Sequence, residues 1–523
     1  MKDICLAVII SHSMHKTIKY LTFFVLLVSL ILAALPMLRG TIYFHVDIAR
    51  DFLLIEEIVH SHKFTLLGPR SGGIPGVFHG PLWLYLNVPA FILSGGNPVG
   101  VGFGWFVMWI AGLYVAWFAF KKIVDKKIAS ISTTMYALLT CTSVSNSFNP
   151  TGAMLVAPIW FAYLLLYARG HNWRHLVVAF CALGLMIQFQ MAFGIPAIIL
   201  TCIYIFFILM RTKRWNHFLT VLTLPPFIST FVLFDLRHDF LQTKAVLNYV
   251  FGSVRHGKSQ LSFLDFFLSR CVESLYKLFG FITQYNTFVL IAFTLLILWA
   301  VYRLHRKNSK VIHLDILFLF VFMWFGYWIL TLPYKGAMWD YYLLPFLPLS
   351  TVFLLLILQQ FPRRYFDMFI FVWLAGMCLF QSVNVISRLS IATQVRGEWL
   401  FMKNSIEKTM FAEKSPRQFG YFIFTLDQLG YDPDYALHYL ARKYRNFDVK
   451  PTTKASTTYL LQDTESHPRA NKDYWRSVQV NINKKPDVTY EINHTFQIEK
   501  YSLTEDEIKI PYDPNLLQNL IFR

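Results

Sequence analysis

The chain is 523 residues long, 55% hydrophobic and 17% aromatic, with only 15% charged residues and a formal net charge of +18. So apolar a composition over this length excludes an ordinary soluble enzyme. The cations lie in short connections, with no basic stripe or stacking platform, which excludes nucleic-acid binding as the reason for the charge. Six scattered cysteines (Cys5, Cys141, Cys181, Cys202, Cys271 and Cys378) exclude a disulfide framework and a thiolate metal site, and read as small apolar core residues.

The first apolar stretch, about 20–38, follows Lys16 and Lys19. It is longer than the apolar region of a signal peptide and ends in a poor cleavage context, so it is read as a retained first helix. Further apolar runs near 98–120, 128–143, 152–168, 174–190, 193–210, 217–235, 279–302, 312–332, 341–360 and 365–386 bring the total to about eleven spans. Cation clusters fall in every second connection: Lys121, Lys122, Lys126 and Lys127; Arg169 and Arg174; Arg211, Lys213 and Arg214; Arg303, Arg306, Lys307 and Lys310; Arg363 and Arg364. By the positive-inside rule these connections and the N-terminus are cytoplasmic.

The run 80–94 is short and contains Pro81, Asn87 and Pro89. Counted as a span it would invert every later helix, so it is placed in the interface as an amphipathic or re-entrant helix. The opposite surface then carries 39–97, 144–151, the turn near 191, 236–278, 333–340 and everything after 386. These connections hold nearly all the chain's membrane-proximal polar chemistry. Trp105, Trp109, Trp117, Trp324 and Trp328 read mainly as interfacial belt and core.

After residue 386 the composition turns polar. Strand-like runs at 421–425, 457–462 and 488–492 alternate with helix-like ones at 391–410 and 433–445. The expected fold class is therefore an all-α polytopic membrane protein, residues 1–386, with a long first outer loop at 39–97. A small extracytoplasmic α/β or α+β domain follows at 387–523. Asn493-His494-Thr495 fits a glycosylation sequon, which matters only in a eukaryotic host. The placement expected from all this is the bacterial inner (plasma) membrane.

Acids stand out in a chain this poor in them. Asp47 and Asp51 directly follow the first helix, and four residues apart they share a helical face. The stretches His45-Val-Asp-Ile-Ala-Arg-Asp51, Phe78-His-Gly-Pro-Leu82, Asn149-Pro150, Gly184-Leu-Met-Ile-Gln-Phe-Gln190, Phe234-Asp-Leu-Arg-His238 and Asp340-Tyr-Tyr-Leu-Leu-Pro345 come in that order over residues 40–350. As an ordered set they resemble the GT-C membrane glycosyltransferases. That superfamily includes protein O-mannosyltransferases and lipid A aminoarabinose transferases, and uses polyprenyl-phosphate-linked sugars as donors. Many relatives read Asp-Glu where this chain has Asp47-Ile48, and His where it has Gln190.

The resemblance implies a transferase, hexosyl or pentosyl and inverting, with Asp47 as general base and Asp51 orienting it or sharing a metal. The plainer alternative is that these acids only favour the first turn of a helix. Arg237 and His238 at the outer end of a span are candidates for the donor phosphate, or ordinary interfacial anchors. Lys335 is a similar candidate, and Asp340 either touches substrate or pairs with Lys335. Arg50 either grips a phosphate bidentately or pairs with Asp47 or Glu56. His79, Gln188 and Gln190 are substrate-binding candidates, the glutamines otherwise bonding helix to helix. Asn149 is expected to cap a helix. With Asp47 and Asp51, His79 could hold Mg2+ or Mn2+.

The partners expected are a polyprenyl-phosphate sugar, a glycan, lipid or protein acceptor, and membrane lipids. Competing classes are a polytopic transporter or lipid flippase, a scaffold acting through its tail, and a carrier-lipid glycan polymerase or ligase. A transporter would place ionisable groups near the bilayer centre, where this chain has almost none.

Overall fold

The computed structural model describes residues 2–251, 262–284, 286–306, 313–334, 336, 338–427, 429–464 and 471–516. The chain divides into two compact units. One comprises residues 1–34, 64–86 and 105–384, the other residues 35–63, 87–104 and 385–523.

Helices carry most of the first unit: α1 (Lys2–Leu38), followed after α2 (Val46–His60) and α3 (Leu82–Leu93) by α4 (Pro98–Phe120), α5 (Lys126–Thr140), α6 (Asn149–Gly170), α7 (Trp173–Phe189) and α8 (Met191–Thr212). Then come α9 (Pro225–Arg237), α10 (Leu241–Phe251), α11 (Phe263–Thr283), α12 (Thr287–Arg306), α13 (Leu314–Leu330), α14 (Leu347–Leu358) and α15 (Arg363–Ser390). Among the described residues, five helical stretches are long and apolar enough to cross a membrane: Lys16–Leu38, Pro98–Phe120, Asn149–Gly170, Met191–Thr212 and Arg363–Ser390. Several shorter apolar helices accompany them. The protein is an integral, multi-pass membrane protein of helical fold.

At 12 residues, α3 is about 18 Å long, less than the roughly 30 Å of a hydrocarbon core. The expected span 217–235 is not one straight helix. A 3-10 run over Trp215–Thr223 meets α9 at a bend of 56°, because Pro225 and Pro226 start a helix readily but cannot continue one. The expected outer connection 236–278 also needs correction, since it contains α10 and most of α11. The cationic connection with Lys307 and Lys310 lies outside the described residues, as does Lys335.

Large apolar side chains lock the helices. Trp160 on α6 is fully buried and its indole N–H donates to Thr201 on α8 at 3.0 Å. Phe193, Tyr327 and Phe346 join α8, α13 and the turn before α14, with ring centroids 5.1–5.8 Å apart. Between α7 and α8 the chain leaves helical geometry only at Gln190, which is extended (φ −152°, ψ 99°).

The second unit is built on a five-stranded mixed sheet of β1 (Gln418–Phe424), β2 (Asp448–Pro451), β3 (Thr457–Asp463), β4 (Val488–Asn493) and β5 (Phe496–Ser502), in the order β2-β1-β3-β5-β4. β1 runs parallel to β2 and β3, whereas β5 is antiparallel to β3 and β4. All seven residues of β3 and six of seven in β1 are buried, as expected for strands covered on both faces. Phe422, Leu460, Trp475, Val480 and Tyr501 form one core cluster. Of two helices, α16 (Trp399–Met410) and α17 (Tyr431–Lys443), α17 packs against α2 and α16 packs against α17. The sequon Asn493 ends β4, and its amide donates to the Gln394 carbonyl at 2.9 Å.

Candidate active site

The acidic motif belongs to the second unit. His45 stands at the N-cap of α2, its imidazole Nδ1 accepting the Asp47 N–H at 3.3 Å. Phe44 N donates to Gly397 O at 2.7 Å and Trp399 N to Ile42 O at 3.0 Å, so residues 42–44 pair with the chain leading into α16. Phe44 meets Trp399 at 5.0 Å between ring centroids and Phe52 meets Tyr435 at 5.1 Å. Glu56 holds the far end of α2 to α17, accepting from His438 at 3.0 Å and pairing with Arg442. α2 is therefore anchored at Phe52 and Glu56, and the chain entering it at residues 42–44.

On this support Arg50 bridges the two aspartates. Its Nη1 donates to Asp47 Oδ1 at 2.7 Å, while Nε and Nη2 donate to Asp51 Oδ1 at 3.2 and 3.0 Å. Arg50 thus pairs with Asp47, one of the two alternatives in the sequence, and also with Asp51; Glu56 pairs elsewhere. The bridged acids differ in setting: the Asp47 side chain is 36% exposed, that of Asp51 only 3%. Burial pushes the Asp51 carboxyl up to about 6, against the pull of Arg50, and Asp47 adds to the rise. Burial would lower the Arg50 guanidinium, but Asp51 and Asp47 more than offset this and raise it. Asp51 Oδ2 is buried and has no hydrogen-bond partner among the described residues. The arrangement offers one accessible carboxylate held in a fixed orientation, beside one able to carry a proton near pH 6.

In the first unit, most of the other predicted residues gather through a chain of contacts. His79 N donates to Pro69 O at 2.9 Å and Gly68 N to His79 O at 2.8 Å, folding the loop on itself. Gly80 then lies against Gln188, where an added Cβ would come within 2.7 Å of the Gln188 Cα. Only glycine permits this approach. Gly80→Ala is expected to lower the apparent melting temperature in detergent by several degrees, from an overpacking cost of about 1–3 kcal/mol; an unchanged melting curve would contradict the packing.

The Gln188 amide donates to Phe227 O and, at 3.1 Å, to Thr230 Oγ1, the helix-to-helix role. Gln190 donates to Tyr341 O at 3.2 Å, beside Asp340, and its Oε1 is buried without a partner among the described residues. Asp340 pairs with Lys277 at 3.2 Å and, with Asn146, Ser147 and Thr151, lines a cavity of about 200 Å³.

Arg237 and His238 close α9. His238 stacks on Phe234 at 4.0 Å and 17°, and Phe234 meets Phe78 at 5.8 Å. Arg237 is exposed and makes no ion pair among the described residues. Asp235 is buried and caps α10, accepting from Gln242 N at 2.9 Å, Thr243 N at 3.1 Å and Thr243 Oγ1 at 2.6 Å. Gln242 in turn accepts the Phe78 N–H at 3.0 Å. Asn149 begins α6 but does not cap it; its amide donates to Phe189 O at 2.9 Å, where the α7–α8 break leaves a carbonyl free.

Sequence reasoning missed Arg270, Glu273 and Lys277. Arg270 is buried, pairs with Glu273 at 2.8 Å, and donates to the carbonyls of Tyr334 and Gly336. Lys277 donates to Met338 O and lies 3.4 Å from Glu273. Their spacing of three and four residues was the available signal. Among the described residues no three His, Cys, Asp or Glu side chains form a group able to hold a metal ion. Arg50 bridges the two carboxylates, Asp47 and Asp51, that were expected to ligate Mg2+ or Mn2+.

A second set of buried charges lies in the same unit as Asp47. Arg396 pairs with Asp463 and, at 3.6 Å, with Asp432. Burial pushes Asp432 up to about 6 and raises Asp463 and Asp434. Burial would also raise Glu407, but hydrogen bonds from Lys443, Tyr444 and Lys403 bring it down to about 2. Raised carboxyls hold protons in the folded state that the unfolded chain has released, so their contribution is full below about pH 4 and fades up to pH 6 and beyond. Glu407 acts oppositely, adding stability above about pH 4.5 that is lost as pH falls toward 2. The apparent melting temperature is expected to fall between pH 5 and pH 7, less steeply in Asp432→Asn; a rise over that interval would contradict it.

No protein-family model matches the chain, and no curated protein matches it in sequence. Solved structures do match in shape. The undecaprenyl-phosphate-bound crystal structure of ArnT from Cupriavidus metallidurans aligns with a TM-score of 0.56 at 11% identity, covering 93% of this chain and 98% of that one. Its apo state aligns at 0.53, with the same identity and coverage. The archaeal oligosaccharyltransferase AglB from Archaeoglobus fulgidus, in complex with an inhibitory peptide and a dolichol-phosphate, gives 0.46 at 12% identity over 85% of this chain and 69% of that one. The chain has the ArnT fold, so the GT-C resemblance of the ordered motifs is borne out at the level of fold.

Proposed function

We propose that this protein is a membrane glycosyltransferase that moves a sugar from a polyprenyl-phosphate carrier to a hydroxyl of a glycan, lipid or protein on the extracytoplasmic side. One observation carries this reading: on an ArnT-like fold, the acid pair after the first helix is oriented by a single arginine, with one member exposed and the other buried. That ArnT structure holds undecaprenyl phosphate, which supports a lipid-phosphate donor here.

In the proposed step Asp47 takes the proton of the acceptor hydroxyl, and the freed oxygen forms the new bond at the anomeric carbon. The bond from that carbon to the phosphate oxygen breaks, and polyprenyl phosphate leaves with the electron pair, inverting the anomeric centre. Arg50 acts as a positioning residue, three of its five N–H donors being engaged by the two aspartates. Arg237 and His238 are proposed for the donor phosphate, supported by the lack of a competing ion pair at Arg237. Gln190 and Asp340 are proposed for the sugar or acceptor hydroxyls, along with His79.

The test is transfer by purified protein in lipid nanodiscs from polyprenyl-phosphate sugars to cell-envelope acceptors, with release of polyprenyl phosphate measured in parallel. Chelation by EDTA followed by restoration of Mg2+ or Mn2+ reads metal dependence in the same assay. Absence of transfer from every such donor, with cellular glycans unchanged in Asp47→Asn, would overturn the proposal.

A further inference from the structure

A cavity of about 720 Å³ opens between α1, α4 and α5, lined along its length by Phe23, Leu26, Leu30, Ile110 and Tyr114. Its position follows from three helices whose equivalent ends coincide. Lys19 stands near the start of the α1 span, Trp117 near the end of α4, and Lys126 and Lys127 at the start of α5, all on the lining. Lys127 is already paired with buried Asp367 at 3.2 Å. Lys121 lies over the Trp117 ring at 4.3 Å. Lys19 and Lys126 are exposed and make no ion pair among the described residues. One mouth of the groove is therefore cationic.

The groove wall is not uniformly apolar. Ser130, Thr133 and Thr134 of α5 line it. Thr133 is 7% exposed, and its hydroxyl has no hydrogen-bond partner among the described residues. Ser130 accepts the Trp117 indole N–H at 3.3 Å, which leaves its own hydroxyl proton to donate. At the helical rise, these two hydroxyls lie roughly 6 and 10 Å along α5 from Lys126. A buried hydroxyl with no acceptor beside it is costly in an apolar setting, so the site calls for an acceptor at that depth.

We propose that this groove binds one anionic glycerophospholipid, with its phosphate at Lys19 and Lys126, its ester carbonyls at Ser130 and Thr133, and its acyl chains along α1 and α4. Charge complementarity selects the anionic headgroup. The hydroxyls select a glycerophospholipid over a polyprenyl phosphate, whose hydrocarbon chain offers no acceptor at that depth.

The experiment uses full-length protein delipidated in a neutral detergent and titrated with dioleoyl-phosphatidylglycerol or dioleoyl-phosphatidylcholine. Bound lipid is counted by native mass spectrometry, and the melting temperature is followed. Phosphatidylglycerol is expected to bind with one-to-one saturation, raise the melting temperature by several degrees, and weaken with added salt. Each lysine near an anionic surface is worth about fivefold in affinity, so Lys19→Gln/Lys126→Gln is expected to lose at least tenfold. Thr133→Val removes only the hydroxyl and is expected to weaken binding while keeping the selectivity for anionic lipid. Equal binding of the two phospholipids, undiminished binding in the double variant, or stronger binding of polyprenyl phosphate than of phosphatidylglycerol would each overturn the assignment. Leu30→Trp fills the groove: bound lipid is expected to disappear with the lipid-free melting temperature retained, and binding that survives it would equally refute the site.

Discussion

Asp47→Asn is expected to lower sugar transfer by about 10²–10⁴-fold, the usual contribution of a positioned general base, while the protein keeps its melting temperature. The amide is nearly isosteric with the carboxylate. Its oxygen can still accept from Arg50 Nη1, which reaches Asp47 Oδ1 at 2.7 Å, so the motif keeps its shape and loses only its basicity. Asp47→Glu retains a carboxylate but displaces it, and is expected to recover part of the rate. Full activity in Asp47→Asn, measured as released polyprenyl phosphate, would remove Asp47 from the chemistry. Donor binding should change little, so the loss is expected in kcat rather than in KM.

Arg50→Leu is the second large effect, and it falls on stability. Arg50 is the only hydrogen-bond partner of the buried Asp51 carboxylate among the described residues. Removing one member of a buried pair leaves an uncompensated charge and costs about 3–5 kcal/mol. Asp51 can escape part of that cost by taking up a proton, so the destabilisation is expected to be larger at pH 8 than at pH 5. Arg50→Leu/Asp51→Asn should regain most of the lost melting temperature, since it removes the stranded charge. A single variant as stable as the parent, or a double variant no better than the single, would show that the clamp does not bear on stability.

Some of the fold and the site was legible in the sequence, and its limits have physical causes. Hydropathy located long helices such as Pro98–Phe120 and Met191–Thr212, because spanning lipid demands uninterrupted apolar length. It could not see the bend at Pro225 and Pro226, since a window average is blind to backbone direction. β3 and β4 were readable from β-branched and aromatic runs, whereas β5 intersperses Phe496, Ile498 and Tyr501 with Gln497, Glu499 and Lys500 and reads as polar. Glu499 is nonetheless buried, accepting from Tyr501 at 2.6 Å and Gln462 at 3.0 Å.

At the site, sequence singled out the acids after the first helix because carboxylates are rare in this chain. It left the partner of Arg50 open, since Asp47 and Glu56 are both within a helical turn or two. Arg270 and Lys277 escaped notice because a stretch too polar to span a membrane reads as a loop. Asp235 and Asn149 illustrate the reverse problem: polar residues at helix ends that satisfy backbone groups of a neighbouring segment.

The weaving of residues 35–63 and 87–104 into the same unit as 385–523 bears on how the protein can be cut and recombined. A deletion after residue 390 would strip Trp399, Tyr435 and His438 from the helix that displays Asp47 and the residues leading into it, so loss of turnover in such a truncation says nothing about acceptor recognition by the tail. Chimaeras with a homologue face the same constraint. All three segments must be exchanged together, while the intervening stretches stay with the recipient; a graft of the tail alone would pair a foreign cradle with a resident acid motif.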